Sequence, residues 1–179
     1  MLLNPKEITR KPESAIFFLI VSFNYLEIYF KVKELAEQVF YPVHLESPSL
    51  PRWREEFTER IGNSFGEETR ILSFKRRINR DELPELKKKA IKIQKKLEAK
   101  DYSLKLIPGY LTSHNVVISS SYDDFHRIYL FQGVFAEIVY KYERLDLIPT
   151  DSSPEFFSMK DVHYFFTALR DFHIANLRK

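Results

Sequence analysis

The residue types able to do chemistry gather in the third quarter of the chain, between Ile107 and Tyr142. His126 and Glu137 come first. If Gln132-Gly133 is a two-residue turn, Phe131 faces Val134, Ile128 faces Glu137 and His126 faces Val139. His126 and Glu137 are then diagonal neighbours on one face of a hairpin, near enough for long side chains to meet. A carboxylate beside an imidazole fixes its tautomer and raises its basicity, which is what acid–base work in a hydrolase or transferase needs. The same pair is equally an ordinary structural hydrogen bond of a half-buried sheet. In this register Arg127 and Tyr129 point to the opposite face with Ala136 and Ile138, so at most one of His126 and Arg127 is central to a site. Asp123, Asp124 and His126 fall within four residues, with His114 on the preceding segment. Such oxygen and nitrogen donors suit a divalent ion. However, Asp123-Asp124 sits where a turn is expected anyway, and no H-E-x-x-H pattern accompanies it. No metal site and no cofactor is assigned.

Several chemistries are excluded by what the chain lacks. Its four glycines, Gly62, Gly66, Gly109 and Gly133, do not precede lysine, so no P-loop exists to cradle phosphates on bare backbone amides. The three close glycines of a dinucleotide fold are missing too. The units His44-Leu45-Glu46, His114-Asn115-Val116 and His126-Arg127-Ile128 are not the paired His-x-Thr/Ser motifs of a two-histidine phosphoesterase. No nucleophile elbow occurs. Without cysteine there is no disulfide, thiol catalysis or cysteine-held metal.

At 179 residues, 44% hydrophobic and 30% charged, the sequence describes one soluble globular domain with room for a substantial core, consistent with a cytoplasmic protein. A net charge of +3 is too small to imply nucleic acid. A local lysine stripe, Lys87, Lys88, Lys89, Lys92, Lys95, Lys96 and Lys100, lacks interleaved aromatics for base stacking and reads as a solvated helix face. Nucleic acid is therefore not an expected partner. The longest apolar run, Ala15 to Val21, is far short of the roughly 20 residues of a membrane span. The aromatic share of 15% exceeds what a small core needs and suits a ligand pocket or a homodimer surface.

The elements that must position these residues follow from periodicity and punctuation. Residues 1–13 form a loose arm. Ala15 to Phe23, apolar without alternation, reads as a strand buried on both faces. Asn24 with Glu27 predicts a capped helix to about Phe40, and Tyr41 to Glu46 a short strand. Residues 47–66 form an insertion whose apolar stripe Leu50, Trp53, Phe57 and Ile61 predicts a helix fit for a lid. Thr69 to Ile78 is a strand. Leu83, Leu86, Ala90, Ile93 and Leu97 make Asp81 to Lys100 the clearest helix. Leu104 to Ile107 runs into a turn at Pro108-Gly109. Val116 to Ser120, Arg127 to Phe131 and Phe135 to Tyr142 read as a meander, Arg144 to Pro154 as loop, and Lys160 to Leu177 as a last helix. The order strand–helix–strand–strand–helix–strand predicts an α+β, ferredoxin-like βαββαβ core, its antiparallel sheet extended by the meander and closed by the final helix.

Pro108-Gly109-Tyr110-Leu111, Val116-Val117-Ile118-Ser119, His126-Arg127-Ile128-Tyr129-Leu130 and Gly133-Val134-Phe135-Ala136-Glu137, in this order and spacing, resemble a bacterial family catalogued as domain of unknown function 4416. Phe17 to Ser22, Arg70 to Phe74 and the start of the Asp81 helix resemble it too, so the similarity spans roughly Lys11 to Phe172. Ile107 stands where the family usually has Asp, His114-Asn115 where it has Lys, and Thr150 to Pro154 departs from its Tyr-Pro-Asp-Tyr-like segment. Some members carry a GTP-binding label, which the glycine pattern does not support in P-loop form.

These readings converge on a non-catalytic binding or regulatory module for a small anionic ligand, a nucleotide included, held between the meander and the Trp53 insertion. Arg127 and His126 supply charge and Tyr110 and Tyr129 polar edges, with His114 and Trp53 as further ligand-binding candidates. The alternatives are an enzyme using His126 with Glu137 as catalytic residues, and an interaction module working through the aromatic surface.

Overall fold

The computed structural model describes residues 8–54 and 65–177. Strand β1, Ala15–Phe23, is the axis of the molecule, and all nine of its residues are buried. Alternate side chains of a strand point to opposite faces, and here both faces are covered. Phe17, Leu19 and Val21 meet Val32 and Ala36 of helix α1 (Leu26–Phe40) and Ala90 and Ile93 of helix α2 (Leu83–Leu97). Ile16, Phe18 and Ile20 meet Phe166 and Leu169 of helix α3 (Lys160–Leu177) together with Trp53, Phe156 and Phe157. A strand buried on both faces needs an uninterrupted apolar run, which explains the sequence Ala15 to Val21.

The other strands are β2 (Val43–Glu46), β3 (Glu68–Ile78), β4 (Lys105–Leu111), β5 (Asn115–Ser120), β6 (Ile128–Phe131), β7 (Val134–Glu143) and β8 (Asp146–Pro149). They form one antiparallel sheet in the order β2-β3-β1-β4-β5-β7-β6, with β8 also on β7. The chain is thus a mixed helix–strand protein with a large antiparallel sheet and three described helices. As a whole this eight-stranded order differs from the arrangement expected from the sequence, a four-stranded core extended by a three-stranded meander. The segment expected as a meander is not one either. The long, largely buried β7 takes the place beside β5, and the short β6, exposed at every residue, is pushed to the edge.

Helix α2 starts where its sequence directs. Asn79 and Glu82 form a capping box, with the Asn79 amide donating to the Glu82 carboxylate at 2.7 Å, and Pro84 occupies the first turn. Helix α1 does not start as expected: Tyr25 is its N-cap, and Asn24 instead ties two loops together. The Asn24 side chain accepts from the Glu67 amide and donates to Ser103, both at 2.9 Å. The buried carboxylate of Asp101 takes the Asn24 amide at 2.7 Å, which places negative charge at the helix start.

Pro108-Gly109 is not a turn. Both residues lie inside β4, paired with Leu19 and Phe18. A Cβ on Gly109 would stand 2.5 Å from the Phe18 ring and 2.4 Å from the Val117 carbonyl, so glycine serves close approach here rather than chain reversal. The segment after Arg144 is not all loop, because Asp146–Pro149 folds back on Tyr140–Glu143. The expected Phe57–Ile61 part of the inserted helix lies outside the described residues, as does most of the loose arm.

Candidate functional site

The β6–β7 hairpin opens as its sequence requires. Gln132 and Gly133 have φ of 51° and 79°, and Phe131 pairs with Val134. A bulge between Tyr129 and Phe131 then slips the register by one, so that Tyr129 faces Phe135 and Ile128 faces Ala136. One step further on, Arg127 comes opposite Glu137. Its Nε lies 3.2 Å from Glu137 Oε2, while His126 Nε2 lies 3.0 Å from Oε1. The two basic side chains thus converge on one carboxylate instead of diverging to opposite faces. Glu137 is 1% exposed, and Arg127 also donates to the Tyr122 carbonyl at 3.3 Å, which closes the loop before β6 onto the sheet. His126 Nδ1 is buried, 3.9 Å from Asp124 and without a hydrogen bond. Among the described residues, no three His, Asp or Glu side chains are grouped to hold a metal ion.

Although both hold Glu137, Arg127 and His126 open onto different cavities. Arg127 lines a cavity of about 150 Å³ with Trp53, Phe65, Lys87, Gln94, Lys105 and Ser119 to Tyr122. This cavity exists because β4 and β5 part company. Their pairing runs only from Leu111–Val116 to Gly109–Ile118. Beyond it stands Pro108, which has no N–H to offer, and its carbonyl is taken by the Ser119 hydroxyl at 2.7 Å. The gap between the start of β4 and the end of β5 is roofed by α2 and walled by Trp53. Among the described residues no acidic side chain lines it, whereas Lys87, Lys105 and Arg127 do. Burial pulls the Lys105 ammonium below the usual lysine range, with Glu98 and Asp101 opposing the shift. Trp53 is 1% exposed, and its indole N–H is buried with no acceptor among the described residues.

His126 lines a second groove, of about 310 Å³, with Tyr110, Ile128 and Ile138. Burial raises the Tyr110 hydroxyl's pKa, and Arg80 opposes the shift. Tyr129 lies on a third groove, of about 650 Å³, between the start of α2 and β6, its ring against Phe135. His114 is exposed in the β4–β5 turn and lines none of the three. Of the ligand-binding candidates, Trp53 and Arg127 therefore come together, and Tyr110, Tyr129 and His114 lie elsewhere. Lys87, Gln94 and Lys105 were missed. Lys87 was legible, because Leu83, Lys87, Ala90 and Gln94 fall on one helical face.

A second buried polar cluster joins the chain start to α3. Glu13 accepts from the Ser113 amide at 2.9 Å and pairs with Arg80 at 3.3 Å. Burial would raise the Glu13 pKa, but the Ser113 donors and His173 hold it below the usual carboxylate value. His173 is fully buried, and its Nδ1 meets the Arg77 guanidinium. A guanidinium only donates, so Nδ1 accepts and Nε2 carries the proton, 3.7 Å from Glu13. Burial first, then Arg77, press the His173 pKa down to about 4.

A family model described as Domain of unknown function (DUF4416) matches residues 13–173. No curated protein and no solved structure matches the chain. No helix among the described residues is long and apolar enough to cross a membrane.

Proposed function

The chain belongs to the family described as Domain of unknown function (DUF4416), and from that premise, which brings no activity with it, we propose a non-catalytic binding module for a small anion. The ligand is a phosphate or small carboxylate, seated between Trp53 and the end of β5. One observation carries this reading: among the described residues the buried indole N–H of Trp53 has no acceptor, in a cavity whose charged lining residues, Lys87, Lys105 and Arg127, are all cations. An unsatisfied buried donor costs about 1–3 kcal/mol. An anion entering here would satisfy it and accept charge-assisted hydrogen bonds from Lys105 and Arg127.

Size narrows the class. About 150 Å³ holds roughly five waters at ~30 Å³ each and is smaller than the ~300–1,000 Å³ of pockets for drug-sized ligands. That favours a free anion over a whole nucleotide. The hydrolase or transferase reading is less well supported, because His126 shares its carboxylate with Arg127 and opens on the other cavity. In the sheet, we read the β2-β3-β1-β4 half with α1 and α2 on one face as a split βαβ unit of ferredoxin-like type, extended by the later strands. A reducing, cytoplasmic setting fits a chain without cysteine.

Calorimetric titration at low salt with inorganic phosphate, sulfate and acetate tests the proposal. Saturable binding of at least one anion, weakened about tenfold or more by Lys105→Met, is expected. No binding of any of the three overturns it.

A further inference from the structure

The two edges of the sheet are finished differently. At one edge, β2 follows Pro42, its Glu46 is held by Lys33 at 2.5 Å, and its exposed His44 contacts Phe172 of α3, ring centroids 4.2 Å apart. At the other, β6 pairs with β7 and, among the described residues, has no strand on its outer side. Its sequence, Ile128-Tyr129-Leu130-Phe131, contains no charge and no proline. The four residues are 65%, 58%, 38% and 59% exposed, and the preceding Phe125 is 91% exposed. Proteins blunt such edges with charge, proline, a covering element, a bulge or shortness; β6 is short and bulged, but among the described residues no charge or proline within it and no outer strand guards it. Contiguous exposed apolar surface of this kind marks an interface.

We propose that β6 is a homodimerisation edge, pairing antiparallel with β6 of a second copy of this chain about a two-fold axis. Such an axis sets β6 against its own copy, so that every pair across the seam joins two of Ile128, Tyr129, Leu130 and Phe131, apolar against apolar. Charge selects the same occupant. Asp123 and Asp124 are exposed at the leading end of the strand, while Lys88 of α2 lines the groove beside Phe131 and Gln132 at its trailing end. Antiparallel pairing lays the leading end of one copy against the trailing end of the other, so acid meets base twice across one axis. On that rim Arg80 and Glu85 are already engaged, with Glu13 at 3.3 Å and Lys89 at 3.0 Å, and Asp81 is the opposing charge. The His126 and Arg127 side chains flanking β6 are turned onto Glu137 and bring no like charges into the seam.

Sedimentation of the full chain over about a hundredfold range of concentration tests this. The wild type is expected to pass from monomer to dimer. Tyr129→Lys, at an exposed position whose fold circular dichroism verifies, shifts the midpoint upward by about tenfold or more. Asp124→Lys weakens the dimer, and adding Lys88→Asp in the same chain restores it. A wild type that stays monomeric throughout, a dimer indifferent to Tyr129→Lys, or a charge reversal without rescue overturns the proposal. If Tyr129→Lys does not fold, the charge-reversal pair alone decides.

Discussion

Arg127 and Glu137 stand opposite each other across the β6–β7 hairpin, Nε to Oε2 at 3.2 Å, with both side chains almost closed off from water. His126 reaches the second carboxylate oxygen. One buried carboxylate therefore anchors the loop at the rim of the cavity beside Trp53, and Arg127 serves the loop and the cavity together.

Removing the carboxylate strands buried positive charge. Glu137→Ala is expected to cost about 3–5 kcal/mol, and Glu137→Gln less, because it keeps an acceptor for Arg127. Urea unfolding reads both. A Glu137→Ala loss below about 1 kcal/mol would place the loop's anchorage elsewhere.

Acid should act through His173. Its folded value of about 4 lies below the ordinary 6.5, so between those values the unfolded chain binds a proton that the folded chain refuses. The stabilisation is complete above about pH 6.5 and is lost as pH falls towards 4, reaching about 2 kcal/mol by about pH 5. Glu13, held below its ordinary value, acts in the same direction, its contribution being lost as pH falls through its lowered folded value. Thermal melts should show His173→Gln, which keeps an acceptor for Arg77, losing less stability between about pH 7 and pH 5 than the wild type. An equal loss in both proteins would remove His173 from the account.

Gly109 should not accept a methyl group. With a Cβ 2.4 Å from the Val117 carbonyl and 2.5 Å from the Phe18 ring, Gly109→Ala must move backbone or a core ring, at a cost of about 1–3 kcal/mol or more. The companion Gly109→Ala/Phe18→Leu chain relieves the ring contact but not the carbonyl one, so chemical denaturation should show partial recovery. An unchanged midpoint in Gly109→Ala would mean that the strand can shift freely.

What the sequence disclosed and what it hid have physical reasons. β1 was legible because a strand covered on both faces must be apolar throughout, and α2 because its apolar seam is a local signal. The Tyr129–Phe131 bulge was hidden. Nothing in Ile-Tyr-Leu-Phe marks an extra residue, yet the one-residue slip brings Arg127 opposite Glu137, and His126 reaches the same carboxylate from the turn before β6, where strand alternation does not apply. β8 was hidden because its tight turn places Arg144 and Leu145 at φ of 53° and 67°, where glycine or asparagine would have announced a hairpin. The cavity was half legible. Trp53 and Arg127 were named for it, but Lys105 joins them only because two strands separate at Pro108, a tertiary event no local motif records.

Trp53 is the chain's single tryptophan, so its indole N–H gives one resolved signal in a nitrogen–proton correlation spectrum. Titration with inorganic phosphate tests the central claim at the atom that carries it. A saturable shift of that signal is predicted, with an affinity weakened about tenfold or more by Lys105→Met. An indole signal that stays still up to about 10 mM phosphate, where even a millimolar site would be largely filled, would contradict anion binding in this cavity.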